Sequence, residues 1–332
     1  MNRSKRIAVI GTGRMGKIHL RVLYRLGVLV GISDINKEDL EKTSKNLGGI
    51  PAFTDYHEML EAVKPDGVII ATPTSLHYPI AKDILENYSF EGILIEKPVC
   101  ETLTDAKDLL ELSKKSKTKI TVGHVEVFNP VVTKMLELFN QGVIGDIRTL
   151  IFQRRGAVSD GRLESIGDVF GDIGIHDFDI ASRFMHGTFQ LKAISLKHQS
   201  SNTINASTIT LHNKEIMCTF HLSREFAGKK RQIEIEGTKG TMIVDLLNQF
   251  LSIRQLGIAK GDTKSITIPY GSGETIKVYG EPLLEEIWAF LDTMTNSNVK
   301  PLVSIEDGYK GLQMIEYARE SSKTGDTMTI QL

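Results

Sequence analysis

The chain reads as two domains of different architecture. The first is an α/β domain built on a parallel sheet with helices on both faces. The second is an α+β domain with a mainly antiparallel open sheet. Three observations predict this. A length of 332 residues suits about two domains at roughly 150 residues each. The first third alternates short apolar, mostly β-branched runs with helix-period stretches, the pattern of a parallel sheet. From Leu191 to Tyr270 strand patterns follow one another with turns between them. The boundary falls after Gly123, giving domains 1–123 and 124–332.

Ile7–Ile10, Leu29–Ser33, Gly67–Ala71, Ile93–Glu96 and Ile120–Gly123 are the buried strands of the first domain. Met15–Leu26, Lys37–Asn46, Tyr56–Val63, Leu76–Glu86 and Asp105–Lys115 are the helices between them. Asp55, three residues before Glu58, predicts a capping box for the third. In the second domain Val131–Asn140 and Asp172–Phe184 read as helices and Ile147–Arg154 as a strand. Alternation on both sides of Gly237-Thr-Lys-Gly240 makes Ile233–Val244 a hairpin. Helices over Leu283–Thr295 and Ser304–Ser322 follow.

Composition narrows the function. Lys and Arg number 40 against 41 Asp and Glu, so the net charge is −1 and no global field exists to hold a polyanion. Nucleic acid and membrane are therefore not expected as partners. Cys100 and Cys218 are the two cysteines, too few for a disulfide framework or a CxxC metal pair, which fits a reducing cytoplasm. The basic start Met1–Arg6 leads into an apolar run, Ile7–Ile10, too short for a secretory signal, and no stretch approaches a spanning length. No HExxH or Cys/His cluster points to a metal.

Gly11-Thr12-Gly13-Arg14-Met15-Gly16 matches G-x-G-x-x-G directly after a strand and at the opening of a helix. Asp34 ends the next strand. That context is the dinucleotide fingerprint: Gly11 for the tight turn, Gly13 for backbone approach to a pyrophosphate, Gly16 for helix–strand packing. The helix N-terminus offers N–H groups to the phosphates. Asp34 suits the ribose hydroxyls and repels a 2′-phosphate, favouring NAD, although Lys37 nearby leaves NADP open. Ligands of such sheets bind at the carboxyl ends of the strands, which directs attention to Thr72, Pro73 and His77 at one exit and to Glu96-Lys97-Pro98 at another. A lysine there can polarise or exchange a proton. It can equally be a solvated surface lysine. Asp172 and His176 stand at i and i+4, on one helix face, where a carboxylate can hold an imidazole in one tautomer. Gly174 between them is expected to leave room for a ligand. The alternative is a capping aspartate beside an unrelated histidine.

Taken together, Gly11–Gly16, Thr72-Pro73-x-x-x-His77, Glu96-Lys97-Pro98 and Asp172-x-Gly174-x-His176 resemble the glucose–fructose oxidoreductase/inositol dehydrogenase (Gfo/Idh/MocA) family over essentially the whole chain. The hairpin at Glu236–Thr241 and Glu306-Asp-Gly308 are similar too. The resemblance implies a Rossmann domain, bound NAD, and a catalytic group of Lys97, Asp172 and His176. Gly123-His-Val-Glu126-Val-Phe-Asn129-Pro130 resembles the G-H-x-E-R-F-N-P segment of members that oxidise UDP-N-acetylglucosamine at C3, departing from it at Val127. It implies Glu126 and Asn129, with Arg154 and Arg162, as substrate ligands. The expected activity is oxidation of a secondary ring hydroxyl of a sugar, a UDP-linked amino sugar first, by a homodimer or homotetramer. An inositol or aldose dehydrogenase, a reductase of the same family, and a non-catalytic dinucleotide-binding regulator are the alternatives.

Overall fold

Strand β1, Ile7–Ile10, is buried at all four positions, as a strand covered on both faces must be. The computed structural model describes residues 5–158, 166–199, 201–255, 260–261, 266–267, 273–296 and 298–332. In it β1 pairs with β2, Leu29–Ser33, and with β4, Gly67–Ile70. β3 (Ala52–Phe53), β5 (Gly92–Glu96) and β6 (Lys119–Gly123) complete a six-stranded parallel sheet of order β3-β2-β1-β4-β5-β6. Helices α1 (Arg14–Leu26), α2 (Lys37–Asn46), α3 (Tyr56–Val63), α4 (His77–Asn87) and α5 (Leu103–Lys115) alternate with the strands. Their starts follow local chemistry. Asn36, Asp55 and Thr102 cap α2, α3 and α5 through side-chain oxygens that accept backbone N–H bonds. The strand order reverses between β1 and β4, so the carboxyl ends of those strands open the crevice where ligands of such sheets bind.

Beyond a short turn at Val125–Phe128, α6 (Pro130–Asn140) begins with Asn129 as cap and proline at its first position. β7 is Ile147–Ala157. Phe170–Gly174 winds as a single π turn that runs into α7, Ile175–Ser182. The expected helix over Asp172–Phe184 is thus two pieces, and single π turns of this kind are frequent at functional sites. Then come β8 (Thr188–Lys197), β9 (Ile204–His212), β10 (Met217–Ser223), β11 (Glu225–Gly237), β12 (Gly240–Asp245) and β13 (Phe250–Gln255). β14 (Lys260–Gly261) pairs with β15 (Ile266–Thr267), and β16 is Glu274–Lys277. Helices α8 (Pro282–Thr295) and α9 (Ile305–Thr324) and strand β17 (Met328–Gln331) follow. Nine strands form one sheet of order β16-β13-β12-β11-β7-β10-β9-β8-β17. It is antiparallel except where β7 runs parallel to β10. The predicted hairpin is β11–β12, with Glu236 opposite Thr241.

The chain forms two compact units, but neither is a single stretch. One is Met1–Val125 with Pro282–Leu312, the other Glu126–Glu281 with Gln313–Leu332. The sequence reading places one cut after Gly123; the structure brings α8 back to the first unit. Leu283, Ile287, Phe290 and Met294 of α8 pack in the same core as Leu20, Leu23 and Leu94. Gly67 and Gly92 make space for them, since a Cβ at Gly67 would lie 2.6 Å from Met294 Sδ and one at Gly92 2.9 Å from its Cγ. Lys119 Nζ, from β6, donates to the carbonyls of Thr293, Asn296 and Val299 at 2.6–2.9 Å and so closes the end of α8.

Candidate active site

In the first unit the glycine turn has the shape that its sequence predicts. Gly11 has φ +96°, and a Cβ there would meet the Ala71 carbonyl at 2.6 Å. A Cβ at Gly16 would stand 2.0 Å from the Gly11 carbonyl, so α1 touches the turn only because residue 16 has no side chain. Around Gly13 nothing lies within 4 Å of where a Cβ would be, and no side chain caps α1. Open space in front of an uncapped helix N-terminus is the geometry an anion needs. A cavity of about 780 Å³ continues from it, lined by Arg14, Met15, Asp34, Thr72 and Pro73 among others. Thr12 N and Oγ1 donate to Asp34 Oδ2 at 2.7 and 3.1 Å, and Asn36 N donates to Oδ1 at 2.9 Å. The carboxylate is therefore fixed at the rim. Ile35, which sequence reasoning passed over, is 89% exposed on the same cavity, an apolar surface of the kind a base can lie against.

His77 and Glu96 turn inward instead. His77 is 1% exposed, with Nδ1 2.8 Å from the Pro98 carbonyl and Nε2 2.9 Å from that of Thr72. Glu96 is buried, 2.6 Å from His19 Nε2 through Oε1, and accepts the Lys97 backbone N–H through Oε2 at 3.1 Å. Burial opposes ionisation of Glu96, yet the hydrogen bond from His19 and the charge of Lys97 hold its carboxyl below the usual range. Glu286, on α8 and fully buried, is the converse case. Burial first, then the charge of Glu96, pushes its carboxyl well above the ordinary 4.5.

A carboxyl with a raised folded-state pKa adds stability that is whole below 4.5 and is lost as pH rises through the folded value. Glu286→Gln is therefore expected to raise Tm at pH 8 by a few degrees and to change it little at pH 5. Thermal unfolding at both values checks this, and an equal shift at both would refute it.

In the second unit Asp172 lies in the π turn, with its side chain 23% exposed, and His176 follows on the first turn of α7. Gly174 does not leave room for a ligand, as the sequence reading expected. A Cβ there would meet Leu222 Cδ1 at 2.7 Å and Phe178 at 3.2 Å, so packing is what requires glycine. Sequence reasoning missed Arg224. It is 2% exposed, donates to Asn205 Oδ1 at 2.7 Å and the Gly167 carbonyl at 2.9 Å, and reaches Asp172 Oδ2 at 3.4 Å.

Three of the four residues expected to hold substrate are interior. Asn129 caps α6 and donates to the Leu246 carbonyl at 3.2 Å. Arg154 is 3% exposed; Nε and Nη2 donate to Asp177 Oδ1 at 2.9 and 2.8 Å and Nη1 to Glu126 Oε1 at 3.0 Å. Arg231 Nη1 donates to the same Glu126 oxygen at 2.6 Å. Burial opposes the charge of Glu126, but the guanidiniums of Arg154 and Arg231 win and lower its pKa. Arg162 lies outside the described residues. Beside this network is a cavity of about 330 Å³ lined by Ile173 and by Arg154, Arg155, Arg224, Lys229 and Arg231. Five cations face it, and the carboxylates that pair with them are Glu126, Asp172 and Asp177. The cavity wall is thus electropositive immediately next to Asp172. Among the described residues no group of His, Cys, Asp and Glu could hold a metal, and no helix is long and apolar enough to cross a membrane.

The glycine turn, the uncapped helix and the fixed aspartate define a dinucleotide-binding oxidoreductase fold. The chain belongs to the Gfo/Idh/MocA oxidoreductase family: that family's NAD-binding Rossmann fold matches residues 5–124 and its C-terminal alpha/beta domain residues 137–330. It is similar to myo-inositol 2-dehydrogenase of Thermotoga maritima, 26% identical over 96% of both chains. Over 56% of this chain and 55% of the relative it is 33% identical to scyllo-inositol 2-dehydrogenase (NAD+) of Bacillus subtilis. The solved UDP-N-acetylglucosamine 3-dehydrogenase GnnA of Acidithiobacillus ferrooxidans shares the fold, with TM-score 0.83 at 23% identity over 96% of this chain and 97% of that one. The protein is an NAD-binding enzyme of a family of sugar and inositol dehydrogenases.

Two hydrogen bonds from ribose hydroxyls to a carboxylate contribute about 1.5–3 kcal/mol each. Asp34→Ala is accordingly expected to weaken NAD binding at least about tenfold and NADP binding less, in calorimetric titrations with both nucleotides. Parallel losses for the two would take the discrimination away from Asp34.

Proposed function

We propose that the protein oxidises a secondary ring hydroxyl of a sugar that carries an anionic group, a UDP-linked amino sugar at C3 first among them. The observation that carries this reading is the electropositive cavity beside Asp172. Five cations outnumber the three carboxylates paired with them, and a diphosphate, unlike a neutral polyol, answers that excess through the guanidinium and ammonium donors of Arg155, Lys229 and Arg231. These three, rather than the interior Arg154 and Asn129, are the candidates for holding it.

Gly11, Gly13, the first turn of α1, Asp34, Thr72 and Pro73 seat NAD, which supplies the hydride acceptor. Lys97, Asp172 and His176 act on the carbinol. His176, oriented by Asp172, or Lys97 takes the hydroxyl proton as general base, and the other donates a hydrogen bond to the same oxygen as negative charge grows on it. Arg224 keeps the Asp172 carboxylate in place at 3.4 Å. The two inositol dehydrogenases among the relatives favour a second reading, a neutral inositol as substrate. The outward face of the nine-stranded sheet, where Ile194, Leu196, Met217 and Phe250 stand exposed among polar neighbours such as Thr149, Thr208 and His212, is the surface we assign to a second copy in a cytoplasmic homo-oligomer.

NADH formation with UDP-N-acetylglucosamine, glucose 6-phosphate, myo-inositol and glucose tests the reading, after a check for nucleotide carried through purification. Turnover of the UDP-sugar alone is the expected result. Turnover of a sugar phosphate keeps the anionic class and discards the nucleotide. Turnover of inositol at a lower KM than either overturns the role given to the cavity.

A further inference from the structure

The backbone on either side of Lys97 is held through its two neighbours in sequence, Glu96 and Pro98. Glu96 is gripped from α1. His19 stands one helical turn beyond Gly16, is wholly buried, and places Nε2 2.6 Å from Glu96 Oε1. The other oxygen of that carboxylate accepts the Lys97 N–H at 3.1 Å. Gly123 on β6 closes the remaining side: a Cβ there would come within 3.2 Å of the Glu96 Cα and Cδ. Pro98 is gripped from α4. His77 bridges its carbonyl, at 2.8 Å, to the carbonyl of Thr72, at 2.9 Å. Both ring nitrogens of His77 face these two backbone carbonyls, and neither is left for a ligand.

We infer that His19, Glu96 and His77 are positioning residues for Lys97, two buried histidine staples that tie the backbone on either side of the lysine to the elements that seat the dinucleotide. One staple runs from α1, whose first turn faces the cavity, and the other from Thr72, which lines it. The inference rests on the reading of Lys97 as a residue that acts on the carbinol.

A misplacement of about 1 Å can cost roughly 100-fold in rate without loss of binding. His19→Ala and His77→Ala are therefore expected to lower kcat at least about tenfold, while KM for sugar and Kd for NAD change less than about threefold. His19→Gln returns an N–H donor to Glu96 and should recover most of the lost kcat. Glu96→Gln keeps an acceptor for the Lys97 N–H and should fall between. His19→Ala or His77→Ala with kcat intact, or His19→Gln no better than His19→Ala, overturns the inference, as does a loss carried entirely by NAD affinity.

A second measurement separates this from the substrate reading and needs no turnover. The folded proteins, with NAD present, are pulsed with an amine-acylating reagent, and the rate at Lys97 relative to exposed Lys42 is read by peptide mass spectrometry. A changed ratio in the two alanine variants supports the staples even if no sugar is oxidised, in which case only the proposed activity fails. An unchanged ratio overturns the staples even if wild type is active.

Discussion

Arg154→Met should destabilise the protein by about 3–5 kcal/mol in denaturant unfolding, the largest stability effect expected of any single change at the site. The guanidinium lies inside a ring of carboxylates, two nitrogens on Asp177 and one on Glu126, with side chains 3–9% exposed. Removing the cation takes both guanidinium hydrogen bonds from buried Asp177 and leaves Glu126 with Arg231 as its cationic partner. The cost is that of abandoned buried anions rather than of a lost attraction. Pairing the change with Asp177→Leu removes one of those anions and should recover a large part of the loss. If Arg154 were instead a ligand for substrate, as the sequence reading had it, Arg154→Met would raise KM and leave unfolding within 1 kcal/mol of wild type, about the effect of a surface change.

Lys97→Met and His176→Gln should each lower kcat by about 100- to 10,000-fold, the range that loss of a general acid or base commonly brings. NAD affinity should stay within a few-fold, since neither side chain forms the glycine turn or the Asp34 rim. Whichever variant also flattens the rising limb of the kcat–pH profile identifies the base. Retention of kcat within a few-fold in both variants would remove the mechanism.

The cofactor cleft was legible because its information is local. Gly11, Gly16 and Asp34 specify a turn, a contact and a rim within a span of adjacent elements, and those residue types have few other reasons to stand in that order. The catalytic roles proposed for Lys97, Asp172 and His176 rest on a family resemblance, with the i, i+4 spacing of the last two beside it. Arg154 was misread because charge in a sequence carries no burial. Its partners lie 28 and 23 residues away on other elements, and nothing along β7 separates it from the adjacent Arg155. His77 was placed correctly at a strand exit, but the two carbonyls that take up its nitrogens are backbone atoms, invisible to motif reading. Arg224 escaped notice for the same reason: three of its partners are found only by folding Gly167, Asp172 and Asn205 together.

The return of α8 to the first unit bears on how this protein is made. Chain leaves the ribosome at about 5–20 residues per second, so after Val125 has emerged roughly ten to thirty seconds pass before Pro282 does. For all of that time the surface that Leu283, Ile287, Phe290 and Met294 will cover, made by Leu20 and Leu23 of α1 and Leu94 of β5 among others, lacks its partner helix. The nascent dinucleotide unit must wait, half dressed, for a helix encoded far downstream. Chaperone capture belongs in that interval, and a gene cut at residue 125 would make a polypeptide that never leaves it.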